Sequence, residues 1–301
     1  MQVKYGLCCL HLGLEEQGYK MQKMTVTRFK ELPRDNALKI LSGRILNNFI
    51  VTKKIIQQCY NEGLRSYRVS STLIPVINHP DINLELSDIP DSDIIGRHIR
   101  ECGDLAKKLG VRLSAHPSEF ISLTSMDENV ITNSIRDLKQ HGDLFDWMGL
   151  PQDYSCPLNI HIRQDGNPVE IAKTFLKNFN RLPDNVKTRL VLENNDTGEA
   201  WNIENLYEYV YKSAAIPLTF DDLHFNFVPT KLSKQEAYEL AYSTWITAEP
   251  IFHYSEGIGK TRKHADYYTA PYENFGKEVY VDCEVKMKDL AIQKMLSSYH
   301  K

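Results

Sequence analysis

The stretch RLVLENND, Arg189 to Asp196, decides the fold class of this chain. Its apolar centre is short, rich in Val and Leu and bounded by polar turn residues, which predicts a strand covered on both faces. In parallel α/β folds ligands bind at the carboxyl ends of strands, which is where Glu193 stands. Taken alone, Glu193 is better explained as a cap on the next helix, so the choice depends on the other strands.

Seven similar runs alternate with segments of helical periodicity, and this alternation predicts an α/β fold of the TIM type, a (β/α)8 barrel. The crossover 257–277 is typical of a loop, so a barrel lacking one outer helix fits. The polar stretch 11–35 also predicts a long loop. The predicted strands are 3–10, 67–71, 111–115, 157–162, 189–193, 216–220, 250–254 and 278–283, and the predicted helices are 36–62, 91–109, 128–148, 169–179, 203–211, 234–246 and a last one ending at 298.

The composition is that of an ordinary globular protein, with 301 residues, 42% hydrophobic and 25% charged. The sequence shows no linker and no repeat beyond the βα unit, which predicts one domain over 1–301. The net charge of -3 means that any nucleic acid must meet a local basic patch. Six cysteines without C-x-x-C spacing and no signal peptide predict reduced thiols in the cytoplasm or nucleoid. We expect a soluble monomer with no membrane span.

Six predicted strands end in residues that can bind metals. Because all carboxyl ends of a barrel open on one face, these residues converge there. A lone histidine is more often structural, but so many His and acidic residues at corresponding positions favour a metal site. Imidazole and carboxylate ligands suit Zn, Mn or Fe, and their number implies two or three divalent ions bridged by Glu193. The candidates are His116, His161, Glu193, Asp221, His224, His253 and Glu284, with His264 in the loop before the last strand.

Multinuclear sites of this kind characteristically hydrolyse phosphoesters, because the ions generate hydroxide and stabilise both the attacking and the leaving oxygen. A single-metal sugar isomerase is the main alternative at this point. No Ser-His-Asp or Cys-His arrangement offers a protein nucleophile. The basic residues Lys260, Arg262 and Lys263 form the best cluster for contacting DNA, and a solvated surface loop explains them equally well.

Five motifs occur in the order and spacing of the UV damage endonuclease (UVDE) family, and the resemblance spans nearly the whole chain. YRVSS, LENND and HYSE with HADY are specific together, whereas HP alone is not. The resemblance implies a metal-dependent barrel, similar to the endonuclease IV group, that nicks DNA immediately 5′ to pyrimidine dimers, 6-4 photoproducts and some other lesions. The motifs are YRVSS at 67–71, HP at 116–117, LENND at 192–196, FHYSE at 252–256 and HADY at 264–267.

The same resemblance assigns roles to residues. It implies manganese as the metal and the eight candidates above as its ligands, with Glu193 and Glu284 also catalytic. His79, eight residues after Ser71, resembles a histidine that the family keeps at the rim of the active site. The resemblance further implies that the partner is damaged double-stranded DNA.

The chain departs from the family pattern at three places. Ile251 stands where the family carries a metal-site lysine, described as carboxylated. Glu119-Phe120 replaces a Gln-Tyr pair that inserts into the duplex; Phe120 can still stack as a wedge, but Glu119 would repel phosphates and lacks an amide's donors. Leu7 replaces a tyrosine of the lesion pocket. An abasic-site endonuclease or other phosphoesterase, and a lesion-binding protein with weakened catalysis, therefore stay open as alternatives.

Overall fold

Eight parallel strands form one sheet in the computed structural model, which describes residues 3–299. The sheet order is β6-β5-β4-β3-β2-β1-β8-β7, so that strands consecutive in sequence lie side by side except β6 and β7, and β1 pairs with β8. This arrangement confirms the predicted barrel. The strands are β1 (Val3–Cys8), β2 (Ser66–Val69), β3 (Arg112–Ala115), β4 (Leu158–His161), β5 (Leu190–Glu193), β6 (Leu218–Thr219), β7 (Ile251–Tyr254) and β8 (Val279–Cys283).

The barrel is nearly closed, with one seam between β6 and β7. Within residues 3–299 no ladder joins these two strands, and an isolated parallel bridge links Asp221 to His253 just beyond β6. Two backbone hydrogen bonds support the bridge, from His253 N to Phe220 O at 3.0 Å and from Asp222 N to His253 O at 3.3 Å. The bridge therefore joins the two strands at the carboxyl face, between two of the residues predicted to bind metal.

Helices of ordinary amphipathic pattern surround the barrel. The helix at Ser92–Leu109 buries Ile95, Ile99 and Ala106, and it ends at Gly110, whose φ of 65° favours glycine. No helix within residues 3–299 is long and apolar enough to cross a membrane. The helices are α1 (Leu12–Glu16), α2 (Val26–Lys30), α3 (Arg34–Asn61), α4 (Ser92–Leu109), α5 (Glu128–Trp147), α6 (Pro168–Phe179), α7 (Asp184–Lys187), α8 (Ile203–Leu206), α9 (Lys212–Ala214), α10 (Lys234–Ser243) and α11 (Lys288–Tyr299), with a π-helical turn at Tyr207–Tyr211.

Two segments between strands were predicted to be loops. The structure confirms one of these predictions and contradicts part of the other. The segment between β7 and β8 contains no helix, as predicted. The prediction of a loop over 11–35 was wrong in part, because α1 and α2 lie there. His11 and Thr25 cap these short helices with their side chains, and Leu14 and Phe29 are buried beneath them. Local capping and tertiary burial stabilise them, not a periodic apolar face.

The interior of the barrel below its carboxyl face is polar. Asp282 on β8 is fully buried, and its two oxygens accept hydrogen bonds from Ser66 on β2 at 2.9 Å and Ser114 on β3 at 2.7 Å. Buried carboxylates require such partners, since an unpaired one is costly. The six cysteines are free thiols. The interior thus presents polar side chains directly beneath the strand ends.

Candidate metal centre

Glu193 ends β5 at the centre of the carboxyl face and is 1% exposed. Asn159 on β4 donates a hydrogen bond to its Oε2. The next helix, α8, begins ten residues later and is capped by Asn202, so Glu193 does not cap it. Four imidazoles surround the carboxylate instead: His253 Nδ1 at 2.9 Å, His224 Nδ1 at 3.1 Å, His116 Nε2 at 3.3 Å and His161 Nε2 at 3.6 Å.

Seven of the eight residues predicted as ligands meet in three overlapping groups. Within each group the three ligand atoms lie within 4.8 Å of one another, which is close enough to contact one ion. Glu193 and Asp221 each belong to two groups, so either carboxylate can bridge neighbouring ions. The groups are His116, His161 and Glu193; Glu193, Asp221 and His224; and Asp221, His253 and Glu284.

Backbone carbonyls orient three of the imidazoles through Nδ1. His116 contacts the carbonyl of the following residue at 3.1 Å, His224 that of Asn194 at 3.0 Å, and His264 that of Glu284 at 2.8 Å. A carbonyl can only accept a hydrogen bond, so Nδ1 carries a proton, and in the neutral ring Nε2 then keeps the lone pair that can bind a metal. Metal-binding histidines typically show this arrangement, because the second hydrogen bond fixes the ring.

Three buried polar atoms of the cluster have no hydrogen-bond partner among the described residues: His161 Nδ1, His253 Nδ1 and Asp221 Oδ2. The short contact from His253 to Glu193 lacks hydrogen-bond geometry. Buried polar atoms are nearly always paired, and unpaired ones point to an absent ion or water. Imidazole nitrogens and carboxylate oxygens suit Mn, Zn or Fe, so the residues present fit a divalent cation.

The electrostatics of the cluster are unbalanced without a cation. Burial raises the pKa of Asp221 to about 7 and lowers that of His161 to about 3. Burial would also lower the pKa of His253, but Glu193 and Glu284 raise it to about 9. Burial opposes ionisation of Glu284, yet Arg68 and His253 outweigh it and bring the pKa of Glu284 well below its usual range. Opposing shifts of this kind are typical of functional sites.

His264 and His79 lie outside the three groups. His264 stands beside the cluster through its contact with the Glu284 carbonyl. His79 lies in the loop between β2 and α4, where its Nδ1 accepts a hydrogen bond from the backbone N–H of Asp81 at 3.2 Å. Leu7 is fully buried in the hydrophobic core beside the helices, so the structure does not place it on the open face.

The loop between β3 and α5 presents an apolar side chain next to the cluster. Phe120 is 83% exposed, as a wedge requires, and Met126 on the same loop is 89% exposed. Glu119 forms an ion pair with Arg163, with 3.5 Å between its Oε2 and Nη1 of the arginine. The sequence did not single out Met126 or Arg163, since contacts between loops leave no periodic signal.

The basic residues predicted to contact DNA lie in the loop after β7. Lys260, Arg262 and Lys263 are exposed. A bridge between Gly257 and His264 closes the loop, and Arg262 donates a hydrogen bond to the carbonyl of Asp196 at 3.2 Å. This contact joins the basic loop to the LENND turn, so its positive charges border the cluster.

Two further residues, Arg68 and Ile251, lie beside the cluster. Arg68, in the YRVSS motif on β2, forms an ion pair with Glu284. Ile251 is 2% exposed and lies two residues before His253, hence on the same face of β7. The alternation of side chains along β2 could have identified Arg68 as inward facing. Ile251 places an apolar side chain beneath the cluster where a ligand would otherwise be available.

The fold and the cluster define a TIM-barrel protein with a candidate metal centre at its carboxyl face. The crystal structure of SacUVDE matches it with a TM-score of 0.83 and 27% identity, covering 99% of this chain and 98% of that chain. The family model described as UV-endonuclease UvdE matches residues 3–301, and the chain belongs to that family. The resemblance seen in the sequence motifs is therefore confirmed.

Relatives of known name agree with this assignment. The chain is 28% identical to the UV DNA damage endonuclease of Nostoc sp., over 98% of this chain and 90% of the relative. It is 30% identical to the UV-damage endonuclease of Schizosaccharomyces pombe over 76% of this chain, which spans 37% of that longer protein. D-psicose 3-epimerase, with a TM-score of 0.51 and 14% identity, shares the fold alone.

Proposed function

We propose that this protein is a metal-dependent DNA repair endonuclease that nicks duplex DNA immediately 5′ to UV photoproducts, both pyrimidine dimers and 6-4 photoproducts, and to some other lesions. It belongs to a family of nucleases, and its relatives are UV DNA damage endonucleases by name. The observation that carries the proposal is the convergence of four imidazoles on the buried carboxylate of Glu193. We propose further that the whole chain, 1–301, acts as one domain and as a monomer on DNA in the cytoplasm.

The proposed centre takes two or three divalent ions, with manganese as the expected metal. Bound ions supply a nucleophilic hydroxide at neutral pH and stabilise charge on the phosphate oxygens. Glu193, Glu284 and His79 are the proposed catalytic residues, and His79 is proposed to lie at the rim of the site. The proposed ligands are His116, His161, Glu193, Asp221, His224, His253, His264 and Glu284.

The chain's own residues prepare this centre. Asn159 fixes one oxygen of Glu193, and backbone carbonyls fix three rings. Burial keeps His161 neutral by lowering its pKa to about 3, and a neutral imidazole is the form that binds metals. The site is therefore largely preorganised, so that little rearrangement is required when the scissile phosphate arrives.

The proposed DNA interface combines a wedge with positive charge. Phe120 stands out from the carboxyl face, where it can stack into a duplex that a lesion has already weakened. Lys260, Arg262 and Lys263 border the same face and can contact the phosphate backbone. Glu119, the remaining residue proposed for this interface, has its charge offset by Arg163.

Phe120→Ala should weaken binding to a duplex with one pyrimidine dimer more than binding to the undamaged duplex. Stacking by an aromatic side chain contributes about 1 to 3 kcal/mol per base, so a loss of about tenfold or more is expected on the damaged duplex. Ile246→Ala is the matched control, because Ile246 is also exposed but follows α10 at the opposite end of the barrel. Equal losses on both duplexes would indicate general packing and no wedge.

Glu119→Gln should tighten binding to both duplexes, because it removes a carboxylate that repels phosphates and releases Arg163 to contact them. The slope of log K against log salt should steepen by about 1, as for one added phosphate contact. Arg163→Gln should shift affinity in the opposite direction. Weaker binding by Glu119→Gln would show that the carboxylate itself contacts the DNA.

Ile251 favours a second candidate, a lesion-binding protein with weakened catalysis, because an apolar residue lies beneath the cluster. An abasic-site or other phosphoesterase activity is the alternative among enzymes. Three duplexes that contain a dimer, an abasic site or no lesion, assayed with Mn²⁺, separate these functions. We expect nicking of the dimer duplex; nicking of the abasic duplex alone, or tight binding of the dimer without nicking, would contradict the proposal.

A further inference from the structure

Arg68 is a buried cation inside the proposed metal centre. It lies on β2, is 9% exposed, and pairs in register with Ser114 on β3. Its Nη1 forms an ion pair with Oε1 of Glu284, and its buried Nε has no hydrogen-bond partner among the described residues. A guanidinium keeps its charge at every accessible pH, so this positive charge is permanent.

The ion pair affects one of the three ligand groups and leaves the other two free. Glu284 belongs with Asp221 and His253 to the third group, and its Oε1 already contacts both Arg68 and, at 3.2 Å, His253 Nδ1. Within residues 3–299 no lysine or arginine forms an ion pair with Glu193 or Asp221, the carboxylates of the other groups. Among the described residues, the guanidinium of Arg68 is thus a cation that pairs with the third group and with neither of the other two.

The third group also lacks a further ligand. On β7 the inward position next to His253 is Ile251, a buried side chain with no atom that can bind a metal. Of the residues in the three groups, a third divalent ion would be held by Asp221, His253 and Glu284, and Oε1 of Glu284 is shared with the guanidinium of Arg68. It would also lie close to the guanidinium, and like charges at such a distance in a buried site repel strongly.

The net charge of the cluster also favours two divalent ions over three. With all three carboxylates ionised, the cluster and the guanidinium together carry a net charge of -2. Two divalent ions bring this to +2, which suits one hydroxide and one phosphodiester. A third divalent ion would leave a surplus of positive charge that nothing in the cluster offsets.

We propose that Arg68 occupies the place of a third metal ion, so that the centre holds two divalent ions and one guanidinium. One ion binds at His116, His161 and Glu193, and the other at the group that contains His224. Arg68 holds Glu284 and contributes positive charge where a third ion would otherwise lie. This inference rests on the proposed metal-dependent nuclease function.

The test is the number of manganese ions per chain. The full-length protein is saturated with Mn²⁺, freed of unbound ions by gel filtration and analysed for metal, and the metal-free protein is titrated with Mn²⁺ by calorimetry. We expect two ions in the wild-type protein and in Arg68→Lys, which keeps the charge. Arg68→Gln should bind three, because it frees Glu284. Arg65→Gln, just before β2 at the opposite end of the barrel, is the matched control and should bind two.

Three ions in the wild-type protein, or two in a folded Arg68→Gln variant, would overturn the role of Arg68. If Arg68→Gln does not fold, saturation of the wild-type protein decides the question, since two ions support the proposal and three reject it. A wild-type protein that binds no stoichiometric Mn²⁺ contradicts the proposed function itself. The two failures are therefore distinguishable.

Discussion

Glu193→Gln should reduce nicking of a dimer-containing duplex by roughly a thousandfold or more at saturating Mn²⁺, a loss of about 4 kcal/mol of transition-state stabilisation. The substitution keeps the volume of the side chain and an oxygen that can accept the hydrogen bond from Asn159. It removes the negative charge around which four imidazoles are arranged and one oxygen that can bridge two ions. The nicking rate and the bound manganese are measured on the same preparation.

Glu199→Gln is the control for this substitution. Glu199 is an exposed carboxylate on the same loop after β5, and the cluster does not include it. It should keep wild-type activity and metal content. A fully active Glu193→Gln variant with unchanged circular dichroism would contradict the metal-cluster interpretation of the carboxyl face.

Removal of divalent metal should abolish nicking and lower the thermal stability of the protein. Three buried polar atoms of the cluster have no hydrogen-bond partner among the described residues, and a bound cation would give these atoms a partner. At a free Mn²⁺ concentration a hundredfold above its dissociation constant, binding stabilises the folded state by about 2.7 kcal/mol. Nicking and the melting temperature are measured before chelation, after it, and after Mn²⁺ is restored.

A chelator already saturated with Mn²⁺ is the control for the chelation experiment, because it tests for effects of the chelator alone. It should change neither nicking nor stability. Nicking that continues at full rate in protein shown by analysis to contain no metal would rule out the proposed centre.

The sequence predicted the barrel because its strands are short apolar runs at regular intervals. It also predicted that His116, His161, Glu193 and their partners converge, since the carboxyl ends of parallel strands share one face. Such a prediction depends only on topology. It requires no knowledge of side-chain conformation, and the structure places seven of the eight candidates in three groups whose ligand atoms lie within 4.8 Å of one another.

The remaining features depend on contacts that sequence patterns do not encode. The ion pair between Arg68 and Glu284 joins residues 216 positions apart, and its formation depends on the register of β2 against the neighbouring strands. Glu119 acquires its partner Arg163 from another loop. His79 was expected at the rim from the family resemblance, and the contact that orients its ring is within its own loop.

The position of the nick tests the central claim most directly. A duplex with one pyrimidine dimer, labelled at the 5′ end of the damaged strand, is incubated with the protein and Mn²⁺, and the product is sized to single-nucleotide resolution. We predict one cut, immediately 5′ to the dimer, leaving a 3′ hydroxyl, with no cut in the undamaged duplex. A cut elsewhere, or an intact strand with Mn²⁺, Mg²⁺, Co²⁺ and Zn²⁺ alike, would contradict the account.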